Sequence, residues 1–317
     1  MSRLFLGVDG GQSSTTAMIG DETGRVLGSG RGGPCNHVGA AEGRAKFTNA
    51  INECLTGACA QAGLDAAGVC FEAACLGFSG GPADKEAILR QMLRAGRMIL
   101  TTDAPIALTG ATAGQPGIIT IAGTGSISWG RDRNGRTARA GGWGYLFGDQ
   151  GGGFDLTREA LRAALRQEEG WGPRTALHAK LLEATGSLDA NHLLHRFYTT
   201  EFTRPEIASL ARLVDQCARA GDQVARRLLD NAARDLAGIT GAVRAQLFAP
   251  GEPVLAAYIG GVFRCGYLLE RFRTLVESAE GCRVVAPVYG PAAGALLDAL
   301  ASAGLKPRLS NLPDREK

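Results

Sequence analysis

The stretch "LFLGVDGGQSSTTAMIGDETGRVLGSG" (Leu4–Gly30) decides the fold. "LFLGVD" (Leu4–Asp9) is a compact apolar run, "TTAMIG" (Thr15–Gly20) follows a Gly/Ser turn, and "GRVLGSG" (Gly24–Gly30) follows the turn-like "DETG". Two tight reversals between three β-rich runs predict an antiparallel meander. Beyond it a helical pattern covers roughly Ala40–Ala62, followed by the strand "EAACLGFSG" (Glu72–Gly80) and a helix from about Pro82 to Ala95. The strand "RMILTTD" (Arg97–Asp103) comes next, with a helix from near Ala104–Pro105, because Pro in a first turn is a start signal. The element order is βββαβαβα.

The order then repeats. "GIITIAGTG" (Gly117–Gly125), "SISWGRD" (Ser126–Asp132) and "TARAGG" (Thr137–Gly142) form a second set of short β runs. "FDLTREALRAALRQ" (Phe154–Gln167) opens a helical insertion, about 155–248, that includes a long amphipathic stretch. Strand "PVLAAYIGG", helix "RCGYLLERFRTLVES", strand "CRVVAP" and helix "PAAGALLDALAS" complete the second set. Residue identity between the halves is weak, so the duplication rests on element order. It predicts paired α/β domains, 1–113 and 114–290, flanking a cleft, with ligands beyond the carboxyl ends of the strands.

Composition narrows the function classes. A 317-residue chain with 45% apolar and 21% charged residues suits a soluble globular protein of two domains. A formal charge of +3, with no Lys/Arg run, argues against nucleic acid or a membrane surface as partner. No stretch approaches eighteen apolar residues and no signal-peptide core opens the chain, so a cytoplasmic protein is expected. The cysteines at 35, 54, 59, 70, 75, 217, 265 and 282 include no C-x-x-C, and with the four histidines they complete no zinc pattern. They read as small hydrophobes among Ala, Leu and Val. The polar "KPRLSNLPDREK" (Lys306–Lys317) reads as a disordered tail.

Four Gly-rich loops each follow a predicted strand: "VDGGQSST" (Val8–Thr15), "FSGGPAD" (Phe78–Asp84), "IAGTGSIS" (Ile121–Ser128) and "YIGGVFRC" (Tyr258–Cys265). Bare amides with hydroxyls nearby suit phosphate oxygens, although neither GxxxxGK[ST] nor GxGxxG is present. A fifth segment, "GGWGYLFGDQGGG" (Gly141–Gly153), holds seven glycines in thirteen residues around one Trp and one Asp.

"DGGQS", "TTDA", "AGTGS" and "GGWG…GDQGG", in this order, resemble the sugar kinase/heat-shock-70/actin superfamily over nearly the whole chain. Within it the chain is similar to the N-acetylglucosamine kinase branch, which shares a family with the BadF/BadG/BcrA/BcrD ATPases. The resemblance implies two ribonuclease-H-like (actin-like ATPase) domains, with the C-terminal helix 291–303 packing back on the first. It also implies an ATP-dependent kinase that phosphorylates the 6-hydroxyl of N-acetylglucosamine, glucosamine, N-acetylmannosamine or N-acetylmuramic acid. Asp103 matches the catalytic base, although Asp before Ala-Pro is also a good helix N-cap. Asp9 matches the acid that holds Mg²⁺ through water. Gly10, Gly11, Gln12 and Ser13 match the first phosphate loop, and Gly123, Thr124, Gly125 and Ser126 the second. Gly260 and Gly261, with Ala208 opposite, match the adenosine side.

Asn36, Ser79, Asp103, Gly142, Trp143 and Asp149 match the sugar contacts. A loop that approaches many hydroxyls closely favours residues without a Cβ. Gln150 and Gly152 depart from the family's Glu and Ser. A homodimer is implied by the resemblance alone. The alternative is a BadF/BcrA-type ATPase that activates a partner dehydratase and carries a [4Fe–4S] cluster. The Cys54/Cys59 and Cys70/Cys75 pairs read as too buried in apolar runs for that role. A sugar-responsive regulator is a third reading, for which no helix-turn-helix is seen before the first strand.

Overall fold

The computed structural model describes residues 3–35, 41–80, 83–199 and 201–316. The chain divides into two compact units, one of residues 1–117 with 286–317 and one of residues 118–285. No described helix is long and apolar enough to cross a membrane.

In the first unit β1 (Leu4–Gly10), β2 (Thr15–Asp21) and β3 (Val26–Gly32) form the meander, each pair antiparallel. Helix α1 (Ala41–Ala62) leads to β4 (Phe71–Phe78), α2 (Glu86–Met92), β5 (Ala95–Thr102) and α3 (Asp103–Ala111). The sheet order is β3-β2-β1-β4-β5, with β1, β4 and β5 parallel. Side chains on β1 alternate between two buried layers: Leu6 and Val8 join the core under α1, and Phe5 joins the opposite core with Ile106 of α3. A strand buried on both faces is what a parallel pairing between helices requires.

Helix α1 packs on β3 through glycines. A Cβ on Gly28, Gly30 or Gly32 would lie 2.1, 2.0 or 2.1 Å from the carbonyl oxygens of Ala58, Cys54 and Ala50. Period two along the strand meets successive turns of the helix, so the two backbones touch. Gly30→Ala is expected to cost about 1–3 kcal/mol by overpacking, read as a lower urea midpoint. Gly33→Ala, where a Cβ meets nothing within 4 Å, should stay within about 0.5 kcal/mol of wild type.

The second unit repeats the plan with β6 (Gly117–Ala122), β7 (Ser126–Arg131) and β8 (Thr137–Gly141). Six helices follow: α4 (Gly153–Glu168), α5 (Leu177–Thr185), α6 (Ala190–Tyr198), α7 (Arg204–Ser209), α8 (Ala211–Arg219) and α9 (Gln223–Leu247). Asp222 caps α9 by accepting from the amides of Val224 (2.8 Å) and Ala225 (3.0 Å), which satisfies two orphan donors of its first turn. Then come β9 (Val254–Ile259), α10 (Gly266–Glu277) and β10 (Cys282–Val285). The sheet order β8-β7-β6-β9-β10 matches that of the first unit strand for strand. Helix α9 lies on this sheet, and a buried hydroxyl cluster of Thr120, Ser128 and Thr240 joins the two, with Thr120 and Thr240 2.7 Å apart.

Helix α11 (Pro291–Ser302) belongs to the first unit, where Ala292, Leu296, Ala299 and Leu300 complete the core around Phe5.

Three local expectations are corrected. Helix α2 spans Glu86–Met92 rather than 82–95, because Leu93 turns extended so that Ala95 can pair with Phe71 of β4. Residues 81 and 82 lie outside the described residues. Cys70 is exposed, whereas Cys54, Cys59 and Cys75 are buried. The described part of the C-terminal tail, to residue 316, packs on the first unit: Ser310 bridges Arg25, the Val26 amide donates to the Ser310 carbonyl at 3.0 Å, and Leu309 is buried. Leu305, Leu309 and Leu312 recur at three to four residues and join the α11 core, a pattern that the polar composition masked.

Candidate active site

Strand β1 delivers Asp9, and β5 ends at Thr102, so that Asp103 opens α3. The N-cap of α3 is therefore Thr102, and Asp103 is the first helical residue. Parallel neighbours expose their carboxyl ends on one edge, and β1, β4 and β5 place Asp9, Ser79 and Asp103 along it. The Ser79 hydroxyl hydrogen-bonds the Asp103 carboxyl and lies 3.4 Å from Gln12 Nε2. The Ser79 amide donates to the Gly10 carbonyl at 3.0 Å, tying the loop after β4 to the loop after β1. In that loop the Gly11 amide donates to the Ser14 carbonyl at 3.0 Å, while Gln12 and Ser13 stand exposed.

Burial pushes the Asp103 carboxyl above its ordinary range, and the Ser79 hydrogen bond only partly offsets this. Asp9 is pushed up to about 7, first by burial, then by the like charges of Asp103 and Glu316. Glu316 was not singled out in the sequence, where an acid in a polar tail carries no signal. Its carboxylate accepts from the Ala293 amide at 3.2 Å, and burial raises its own pKa. Asn36 lies outside the described residues.

In the second unit the expected nucleotide residues lie together. The Gly153 amide donates to the Gly123 carbonyl at 2.8 Å and the Phe154 amide to the Thr124 carbonyl at 3.0 Å, so the loop after β6 sits on the start of α4. A Cβ on Gly153 would lie 2.9 Å from the Ala208 carbonyl oxygen, and one on Gly260 would lie 2.2 Å from that of Ala122. Gly260 has φ 117°, which L side chains rarely adopt. Gly261 beside it is exposed.

The segment 141–153 wraps around Ser126. The Gly142 amide donates to the Ser126 carbonyl (2.9 Å), the Ser126 hydroxyl to the Gln150 carbonyl (2.6 Å) and the Ser126 amide to Asp149 Oδ1 (3.3 Å). Its glycine content follows from conformation: Gly141, Gly142, Gly144 and Gly151 all have φ between 71° and 80°. Asp149 itself sits at φ 62° with its side chain 7% exposed, a position the surrounding bonds must hold. Trp143 is 66% exposed, with the Arg139 guanidinium 4.5 Å from its ring centroid. Gln150 is exposed.

The model of the BadF/BadG/BcrA/BcrD ATPase family matches residues 6–299. An N-acetylmuramic acid/N-acetylglucosamine kinase of Clostridium acetobutylicum is 34% identical over 87% of this chain and 90% of its own length. An N-acetyl-D-glucosamine kinase of Dictyostelium discoideum is 30% identical over 94% of this chain and 98% of its own. The solved structure of a Chromobacterium violaceum protein described as an N-acetylglucosamine kinase superposes with a TM-score of 0.77, at 31% identity, over 93% of this chain and 98% of that one.

Proposed function

The chain belongs to the BadF/BadG/BcrA/BcrD ATPase family, and on that premise we propose that it transfers the γ-phosphoryl group of ATP to the 6-hydroxyl of an amino sugar. It is a sugar phosphotransferase with an actin-like ATPase fold, and N-acetylglucosamine is the substrate we put first. The observation that carries this reading is Asp103, a carboxyl with a raised pKa, held by Ser79 on the same sheet edge as Asp9.

Phosphoryl transfer asks a protein mainly for positioning and charge neutralisation. In the first unit Asp103 accepts the proton of the sugar hydroxyl, and Ser79 fixes the carboxyl that does so. The loop Gly10, Gly11, Gln12 and Ser13 presents backbone amides to phosphate oxygens. In the second unit Gly123, Thr124, Gly125 and Ser126 do the same, while Gly260, Gly261 and Ala208 line the adenosine. Gly142, Trp143 and Asp149 contact the sugar, joined by Asn36 and Ser79. Asp149, which braces Ser126, also couples the sugar loop to the second phosphate loop.

Asp9 fits Mg²⁺. It is a hard oxygen donor whose ionisation is opposed by two like charges, and a divalent cation relieves that opposition. Among the described residues no group of three or more potential ligands forms a metal cage. That suits an ion bound through one carboxylate, waters and substrate phosphates. When bound, Mg²⁺ neutralises charge on the transferred phosphoryl group.

We place the kinase in the cytoplasm as a homodimer. Eight free thiols agree with a reducing compartment, and light scattering in solution tests the dimer. The dehydratase-activator reading finds no support in Cys54, Cys59 and Cys75, which lie inside apolar cores.

A coupled ADP-release assay over N-acetylglucosamine, glucosamine, N-acetylmannosamine and N-acetylmuramic acid tests the function. Sugar-dependent ADP release with at least one of them is expected. Release no faster than without sugar, for all four, refutes the assignment.

A further inference from the structure

The loop that carries Trp143 and Asp149 is not held by burial of its own tip, where Leu146 and Phe147 are exposed. Its backbone turns through left-handed conformations at Gly144, Asp149 and Gly151. For Asp149, which has a Cβ, that conformation persists only where neighbouring groups enforce it. Bonds within the tip, the Gly148 amide to the Gly144 carbonyl at 2.8 Å and the Gly152 amide to the Asp149 carbonyl at 3.0 Å, shape the loop without anchoring it. Ser126 anchors residues 142, 149 and 150.

A second anchor comes from the first two turns of α4. Asp155 Oδ2 accepts from the Gly151 amide at 3.0 Å, and Asp155 Oδ1 accepts from Arg158 Nη2. Arg158 Nη1 continues to the Tyr145 carbonyl, donating at 3.2 Å. The Tyr145 ring has the Arg204 guanidinium 4.6 Å from its centroid and Phe154 edge-on at 5.2 Å. One carboxylate and one guanidinium thus tie both flanks of Asp149, at 145 and 151, to a single helix. Stability alone is a poor account of this pair. Among the described residues the buried Arg158 Nε has no hydrogen-bond partner, Glu159 Oε1 standing 3.9 Å away, and folding does not recover that loss. Apolar side chains of similar volume commonly hold a fold as well as a buried ion pair does.

We propose that Asp155 and Arg158 are positioning residues for the sugar: together they hold residues 145–151, and with them the Asp149 carboxylate, in the sugar-binding conformation before the sugar arrives. They act through Asp149 and not by touching the sugar. A loop already set in its bound conformation loses less freedom on binding, and the saving appears as affinity. The inference rests on the amino-sugar reading for the ligand that this loop meets.

The test measures kcat, KM for ATP and KM for whichever amino sugar the full-length wild type turns over fastest, with a melting curve for each protein. Arg158→Met and Asp155→Asn are expected to raise KM for the sugar about ten- to hundredfold, the scale of a group displaced by about 1 Å. KM for ATP should rise less, and kcat should stay within about threefold. Arg158→Lys keeps the charge opposite Asp155 but not the fork that also reaches Tyr145, so its sugar KM should fall between. Arg162→Gln breaks an exposed pair with Glu159 on the same helix and should leave both KM values unchanged. A helix-capping role alone lowers the melting temperature and leaves the sugar KM where it is. A sugar KM within about twofold of wild type in both Arg158→Met and Asp155→Asn, or equal rises in the two KM values, overturns the proposal. Should Arg158→Met not fold, Asp155→Asn and Arg158→Lys decide it by the same criterion. A wild type that releases no ADP with any amino sugar is a different failure: it refutes the kinase reading and takes this inference with it.

Discussion

Asp103→Asn is expected to lower kcat by about 10²–10⁴-fold while KM for ATP and for the sugar stay within a few-fold of wild type. Asn keeps the volume and the hydrogen bond to Ser79 but cannot take a proton. The interaction lost is one made only as the hydroxyl is deprotonated, so the deficit belongs to kcat. Wild type should also show an acid limb above the usual carboxylate range, because the Asp103 pKa is raised and its basic form is lost as pH falls through that value. The variant should lose the part of the limb that Asp103 contributes and keep the part set by Asp9. If Asp103→Asn turns over at more than about a tenth of the wild-type rate, with a normal melting curve, Asp103 has no part in the chemistry.

Asp9→Asn is expected to separate stability from function. The folded Asp9 titrates at about 7, whereas an unfolded Asp titrates near 3.9. The folded state therefore holds its proton more tightly. Its contribution to stability is complete below about pH 4 and is lost as pH rises through about 7. At pH 8, in chelator, the charged side chain is a liability that Asn removes. The variant should be more stable there by on the order of 2–4 kcal/mol in urea unfolding, and the two proteins should converge near pH 4. Turnover at fixed Mg²⁺ should fall at least about a hundredfold, because charge stabilisation by a bound metal is worth several kcal/mol. Equal stability at pH 8 would mean that Asp9 is not held against its own ionisation.

What could be read from the sequence is the part governed by local pattern. The three runs in Leu4–Gly30 became β1–β3 because apolar alternation and Gly/Asp turns are short-range signals. The duplicated order gave the fold class, and the two sheets repeat one strand order. The Gly-rich loops after β1 and β6 were visible from glycine next to hydroxyl residues. Hidden were the pairings set by distant partners. The glycines of β3 read as weak strand residues, yet they let α1 approach to backbone contact. The end of α2 depended on where β5 had to begin. The bond from Ser79 to Asp103 joins loops after different strands. Glu316 folds back on the start of α11 from 23 residues further along the chain, a return that no periodicity in the polar tail reveals.

The first unit is assembled from both ends of the chain, residues 1–117 and 286–317. During synthesis its sheet can form early, but the face that carries Phe5, Met18 and Ala73 has no helix α11 to cover it until residues 291–302 have followed the second unit out. The second unit is continuous and has all its residues by 285. On the ribosome the nascent first unit thus waits, with an apolar sheet face bare, while the second is made and folded. That interval is when a chaperone has most to hold, and when a stalled or shortened message does most harm.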